Sequence, residues 1–357
     1  GDDSPVGRVC HSCDSCRARK FSVRQKLIVK KDGEPKMNML RFDLRLPDFS
    51  TVTRADQYHA CLDMCRWADR VGMSGVILSE HHGAPDGYLP SPMIMASAIA
   101  ATTTRLPISI SAMLLPMHDP VRLAEQIVVA DQLARGRIML ILGTGYRQEE
   151  FDMMDMKFSD RLEVLEHHVA ALKKLFTGEH VEIDGRRLRV TPAPFSPGGP
   201  MMMLGGSGEK AARLAARLGI GFAAADSNPM IADWYNDECA KLGFTGGFVV
   251  VPEKLGFIHV SDDPERDWDI IGRHALWDAQ SYAAWQRPRQ SSAVTVKGAL
   301  TIDDIRQSGV YRVLTVDEAI VLAKSGRLLL HPLMGGMTPE FAWESLERIE
   351  HRVLTAV

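Results

Sequence analysis

Gly75-Val76-Ile77-Leu78-Ser79-Glu80-His81-His82 is a short, partly β-branched run that ends in a carboxylate and two imidazoles. Bounded by Gly75 and by the loop Gly83-Ala84-Pro85-Asp86-Gly87-Tyr88, it reads as a buried strand that delivers titratable groups to a rim. Imidazole is the side chain best matched to proton transfer near neutral pH. Taken alone, the pair also fits an exposed loop, so the flanking sequence has to decide.

Outward from this run the chain alternates strand-like and helix-like stretches. A strand over 40–46 precedes a helix over 54–72, where Tyr58, Cys61, Leu62, Cys65 and Ala68 share a face and Gly72 is the stop. Ser91-Pro92 and Asp119-Pro120 are cap-plus-proline starts for helices over 93–102 and 120–136. Strands are expected at 75–79, 108–115, 138–142, 201–204, 220–225, 255–260 and 328–330. Helices are expected at 159–176, 209–218 and 229–242, and a final one is capped by Thr338-Pro339. A hairpin turning at Asp184-Gly185 interrupts the series. Eight strand–helix units with short connections indicate a parallel sheet, closed at this length into a (β/α)8 TIM barrel with insertions. An open doubly wound sheet is the competing architecture. The region 262–315 is expected to hold a helix over 268–285 and then an irregular insertion.

In such a barrel the active site lies at the C-terminal strand ends. That rule selects Glu80, His81 and His82 after the second strand and Ser111, Ala112, Met117 and His118 after the third. It also selects Gly143, Thr144, Gly145, Tyr146 and Arg147 after the fourth, and Gly205, Gly206, Ser207 and Gly208 after the fifth. Asp226 and Ser227 follow the sixth strand and His331 the eighth. The turn at 205–208 opens a helix, whose free N–H groups and dipole suit a phosphate. No G-x-G-x-x-G follows a first strand, so no Rossmann nicotinamide site is expected. Glu80, His81 and His82 alternate in direction and cannot converge on one ion, so no metal is expected there.

Hydrophobic residues make up 45% and charged residues 24% of the 357 residues, which suits a large soluble core. The formal charge of -3 gives no overall pull toward nucleic acid or anionic membrane. No apolar stretch is long enough for a membrane helix, and the polar N-terminus lacks a secretory h-region. The scattered Cys61, Cys65 and Cys239 suit a reducing, cytoplasmic compartment. Residues 1–36 differ, with nine Lys or Arg against five Asp or Glu. Residues 1–38 therefore read as a basic, cysteine-containing extension, disordered or outside a core domain over 39–357. Cys10, His11, Cys13 and Cys16 are zinc-ligand types at cramped spacing, and Arg17-Ala18-Arg19-Lys20 invites a nucleic-acid reading. A disordered segment, or translation from upstream of a start at Met37 or Met39, accounts for both.

The ordered set Ser79-Glu80-His81-His82, Leu89-Pro90-Ser91-Pro92, Leu115-Pro116-Met117-His118-Asp119-Pro120, Leu142-Gly143-Thr144-Gly145-Tyr146-Arg147 and Gly205-Gly206-Ser207-Gly208 resembles the luciferase-like flavin-dependent oxidoreductases over residues 39–354. The resemblance implies a flavin cleft at the strand C-termini. His81 matches the family's active-site histidine, and Glu80 is assigned to orient it. Ser111-Ala112 match the place of a non-prolyl cis peptide under the flavin ring. Gly143, Thr144, Gly145, Tyr146, Arg147 and the turn at 205–208 match cofactor-binding positions. Thr144 stands where the luciferase α chain has an arginine, and Arg147 is the replacement considered. The implied activity is a monooxygenase using reduced FMN and oxygen on a small organic substrate. An F420-dependent hydride transfer and a non-catalytic flavin-binding barrel are the alternatives. The implied partners are a flavin reductase or F420 reductase system and a second copy of the chain.

Overall fold

The computed structural model describes residues 38–252, 256–286, 292 and 294–357. By contacts the chain divides into Gly1–Pro35 and Lys36–Val357, and the described residues all belong to the second unit. The expectations for the cysteine cluster, the basic run and the extension fall outside the described residues.

The central sheet is parallel throughout. Its strands are β1 (Met39–Phe42), β2 (Gly75–Leu78), β3 (Ile108–Leu114), β4 (Ile138–Gly143), β7 (Met201–Gly206), β8 (Gly221–Ala224), β9 (Val249–Val250), β10 (Phe257–Val260), β11 (Tyr311–Leu314) and β12 (Leu329–Leu330). The expected hairpin forms a separate pair, β5 (Val181–Ile183) and β6 (Arg186–Leu188). The hydrogen-bonded order is β11-β10-β12-β1-β2-β3-β4-β7-β8-β9. From β1 to β8 each strand pairs with its successor in the sheet, and β12 returns to pair Leu330 with Leu40 of β1. A doubly wound sheet reverses its order at a switch point. This one runs in order from β1 to β9 and has its last strand, β12, beside the first, as in a (β/α)8 barrel.

Alternate strand positions pack in one core with the surrounding helices. Leu40, Val76, Leu78, Ile108, Ile110, Ile138, Leu140, Leu142 and Phe222 are all fully buried. Each such side chain contributes about 1.5–3 kcal/mol by leaving water. The surrounding helices include α1 (Arg54–Val71), α2 (Pro92–Thr102), α3 (Pro120–Ala134), α4 (Gln148–Met153), α5 (Arg161–Leu175), α6 (Glu209–Arg217), α7 (Met230–Leu242) and α8 (Pro264–Trp285). Asp119 caps α3 by accepting from Val121 N and Arg122 N, with Pro120 at the first helical position. Gly72 ends α1 at φ 81, the left-handed region where a side chain is strained.

The region 262–315 is more regular than its sequence suggests. After α8 come α9 (Ile302–Ser308), opened by a Thr301–Asp304 capping box, and β11, which pairs in parallel with β10. Helix α10 (Val316–Lys324) follows, opened by a Thr315–Glu318 box, and α11 (Pro339–Arg348) begins at the expected Thr338 cap. Strand β11 is only four residues long and includes Arg312, and α9 and α10 each span under ten residues. None carries enough periods of a pattern to be read alone. Their existence is set by packing on β10 and α8.

Candidate active site

The strand ends converge on two carboxylates that share one histidine. Glu150, in the first turn of α4, is fully buried. Its Oε1 accepts from His81 Nδ1 at 2.7 Å, from His82 N at 3.0 Å and from Arg147 Nη1 at 3.3 Å. Arg147 also donates to His82 O at 3.2 Å, and its guanidinium lies 4.2 Å from the Trp285 ring centroid. On the other edge of the imidazole, His81 Nε2 is 3.1 Å from the Tyr146 hydroxyl. The rings of Tyr88, Tyr146 and Trp285 surround His81 at centroid distances of 4.7, 5.3 and 5.1 Å. Burial holds the Tyr146 phenol well above its ordinary range, so it keeps its proton.

Glu80 lies across His82. Its Oε1 accepts from His82 Nε2 at 3.1 Å and His118 Nε2 at 2.8 Å, and its Oε2 accepts from Leu114 N at 2.6 Å. Burial pushes this carboxyl up, but the hydrogen bonds from His118, His82 and Leu114 outweigh it and hold its pKa at about 2. The expectation that Glu80 orients His81 is therefore corrected. Side chains two apart in an extended segment leave on the same side, so Glu80 meets His82, while His81 points the other way to Glu150. Glu150 escaped the sequence reading because it belongs to an unpredicted helix 69 residues away from His81. The available signal was a pair of acids, Glu149-Glu150, where a helix begins.

A second polar layer closes the β1 side. Asp43 accepts from Arg41 Nη2 at 2.9 Å and from the Tyr282 hydroxyl at 2.7 Å, and the Tyr282 and Tyr88 hydroxyls are 2.8 Å apart. Despite burial, Arg41 and His331 hold Asp43 below the usual carboxylate range. Burial, with Arg41 and Arg45 nearby, lowers His331 to about 4 although Asp43 opposes it. Arg45 is buried, donates to Asp86 and Asp278, and lies against the rings of Tyr88, Trp277, Tyr282 and Trp285. These bonds tie α8 to the loops after β1 and β2.

The remaining predicted residues form the small-residue side of the mouth. Ser111-Ala112 is a cis peptide, and β3 shifts register there against β4. A Cβ on Gly143 would stand 3.0 Å from the Ala112 Cβ, and one on Gly205 would stand 3.2 Å from Ile141 Cγ2. Neither glycine has a positive φ, so space rather than conformation requires them. Gly145 does have one, φ 74, and a Cβ there would also strike Phe151 at 2.8 Å. Thr144 is partly buried. Beyond Gly206 and Ser207, Gly208 is the N-cap of α6, with no side-chain cap and no heavy atom within 4 Å of an added Cβ. A bare strip over β3, β4 and β7 beside an open, uncapped helix start fits a planar ring system carrying a phosphate. Arg147 is already engaged by His82, Glu150 and Trp285.

Fold and site together define a (β/α)8 barrel enzyme scaffold with an imidazole–carboxylate pair at its strand ends. The luciferase-like monooxygenase family model matches residues 39–316, and the chain belongs to that family. Limonene 1,2-monooxygenase of Rhodococcus erythropolis is 25% identical over 278 residues, covering 73% of this chain and 70% of that protein. The alkanal monooxygenase alpha chain of Photorhabdus luminescens is 25% identical over 185 residues, covering 50% of this chain and 49% of its own. The chain spans about half the length, or less, of several curated relatives it matches. Among solved structures, the oxygenating constituent of 3,6-diketocamphane monooxygenase of Pseudomonas putida, determined with FMN, superposes with a TM-score of 0.66 at 16% identity. That superposition covers 90% of this chain and 98% of the other. Likeness at that identity establishes the fold.

Proposed function

We propose that this protein is a flavin-dependent monooxygenase that uses reduced FMN and oxygen to oxidise a small organic substrate. The observation that carries the reading is the arrangement at the strand ends, in a chain of this family. A buried His81–Glu150 pair stands at the same mouth as the bare strip of Ala112, Gly143 and Gly205. Ala112, Gly143 and Gly205 would lie against the ring, and the turn at 205–208 with Thr144 would hold the phosphate through N–H and hydroxyl groups. The bound flavin would supply electrons to oxygen. His81 is the group that takes or returns a proton. Glu80 fixes the wall on which His82 and His118 sit.

Arg147 is held by Glu150 and His82, so the phosphate would meet no free guanidinium from this turn. Such a site suits a flavin that arrives reduced and leaves, which makes a flavin reductase the functional partner. The free, buried Cys61, Cys65 and Cys239 agree with a reducing, cytoplasmic setting. Exposed Ile94 on α2 and Val129 and Leu133 on α3 support the expectation of a homodimer. Side-by-side anaerobic titration with reduced FMN and reduced F420 tests the cofactor. The expected result is saturable binding of FMN. Tight binding of F420 alone would move the reading to oxygen-independent hydride transfer with an F420 reductase partner, and binding of neither would end it.

A further inference from the structure

We infer that Glu150 is the positioning residue of this site, fixing the His81 imidazole in the tautomer that carries its proton on Nδ1. The inference deepens the proposed function and rests on its reading of His81 as the proton-handling group. Glu150 Oε1 faces three donors, so it is an acceptor, and His81 Nδ1 at 2.7 Å has to donate. A neutral imidazole has one N–H, which leaves Nε2 as a lone pair. The Tyr146 hydroxyl, 3.1 Å away, donates to it. Tyr88 and Trp285 pack the ring on its remaining sides, so the orientation is held as well as the tautomer.

The consequence is chemical. The Tyr146 hydroxyl passes its proton to Nε2 as it takes up the proton released by substrate, so the tyrosine ends neutral and the electron pair of the broken bond stays on the substrate. The resulting imidazolium keeps its Nδ1–H on Glu150, next to a carboxylate that favours the added charge. With the opposite tautomer, Nε2 would already be occupied and Nδ1 would point into the protein. Glu80 has no part in this, because its oxygens are taken by His82, His118 and Leu114.

Long-range proton–nitrogen correlation spectra of the full chain, with His81 assigned by its loss in His81→Asn, read the tautomer directly and need no turnover. The expected wild-type signal is Nδ1–H with an unprotonated Nε2. Glu150→Gln keeps an acceptor oxygen and retains that pattern, whereas Glu150→Met loses it. A wild-type Nε2–H tautomer would overturn the inference, as would an unchanged pattern in a folded Glu150→Met. If Glu150→Met fails to fold, the wild-type and Glu150→Gln spectra still decide. Full activity in His81→Asn with the expected spectra would instead sink the catalytic reading of His81 and leave Glu150's hold on the tautomer standing.

Discussion

Glu80 and Glu150 are two buried carboxylates joined by His82, which gives its side chain to one and its backbone N–H to the other. Both oxygens of Glu80 are taken, by two imidazoles and a backbone N–H. Glu150 gathers its contacts on Oε1, and its Oε2 has no hydrogen-bond partner among the described residues. The saturated carboxylate holds the loop after β2 onto β3. The unsaturated one faces a histidine whose far nitrogen meets a tyrosine. Nearness to a catalytic candidate in sequence therefore says less than which side of the chain a residue leaves.

The comparison breaks most easily at His81. His81→Ala is expected to slow oxygen-dependent consumption of bound reduced FMN by about 10²-fold or more while the melting temperature stays close to wild type. Stopped-flow traces and thermal melts read the two effects separately. Glu80→Ala should do the reverse. It leaves His82, His118 and Leu114 N without their acceptor and costs about 3 kcal/mol in urea unfolding.

Acid sharpens the same contrast. Glu80 has its folded pKa lowered from the ordinary 4.5 to about 2, so its contribution is complete above pH 4.5 and is lost as pH falls toward about 2. Over that window the wild type should lose about 3 kcal/mol that Glu80→Gln does not lose, as read from urea midpoints at stepped pH. The smallest effect is expected from Glu150→Gln, which keeps an acceptor for His81 but removes the charge beside the imidazolium. It should slow turnover about tenfold, equivalent to about 1.4 kcal/mol, with little change in melting temperature.

Much of the barrel was legible because its signals are local. Asp119-Pro120 and Thr338-Pro339 start helices where expected, Gly72 stops one, and the apolar runs at 75–78, 108–114 and 138–143 are strands. The strand-end rule selected His81, Ser111, Ala112 and the glycines at 143 and 205, which the structure brings to one mouth, and the family resemblance led to the cis peptide at Ser111-Ala112. Partner choice was less legible. The alternation that argues against a shared metal at Glu80, His81 and His82 also separates Glu80 from His81, and applying it there gives the observed His82 contact. Glu150 and Tyr282 reach the site from α4 and α8 by tertiary packing, which spacing in the chain does not encode. The resemblance offers Arg147 as the replacement for the arginine that the luciferase α chain has where Thr144 stands, yet its guanidinium is held by Glu150 and Trp285.

The claim that the bare strip across β3, β4 and β7 is a flavin floor is tested most directly by anaerobic calorimetry of reduced FMN with the wild type and Gly143→Val. The account predicts one saturable site in the wild type and binding weakened at least tenfold in the variant, whose added side chain crowds Ala112. Equal affinity in the two folded proteins would contradict it.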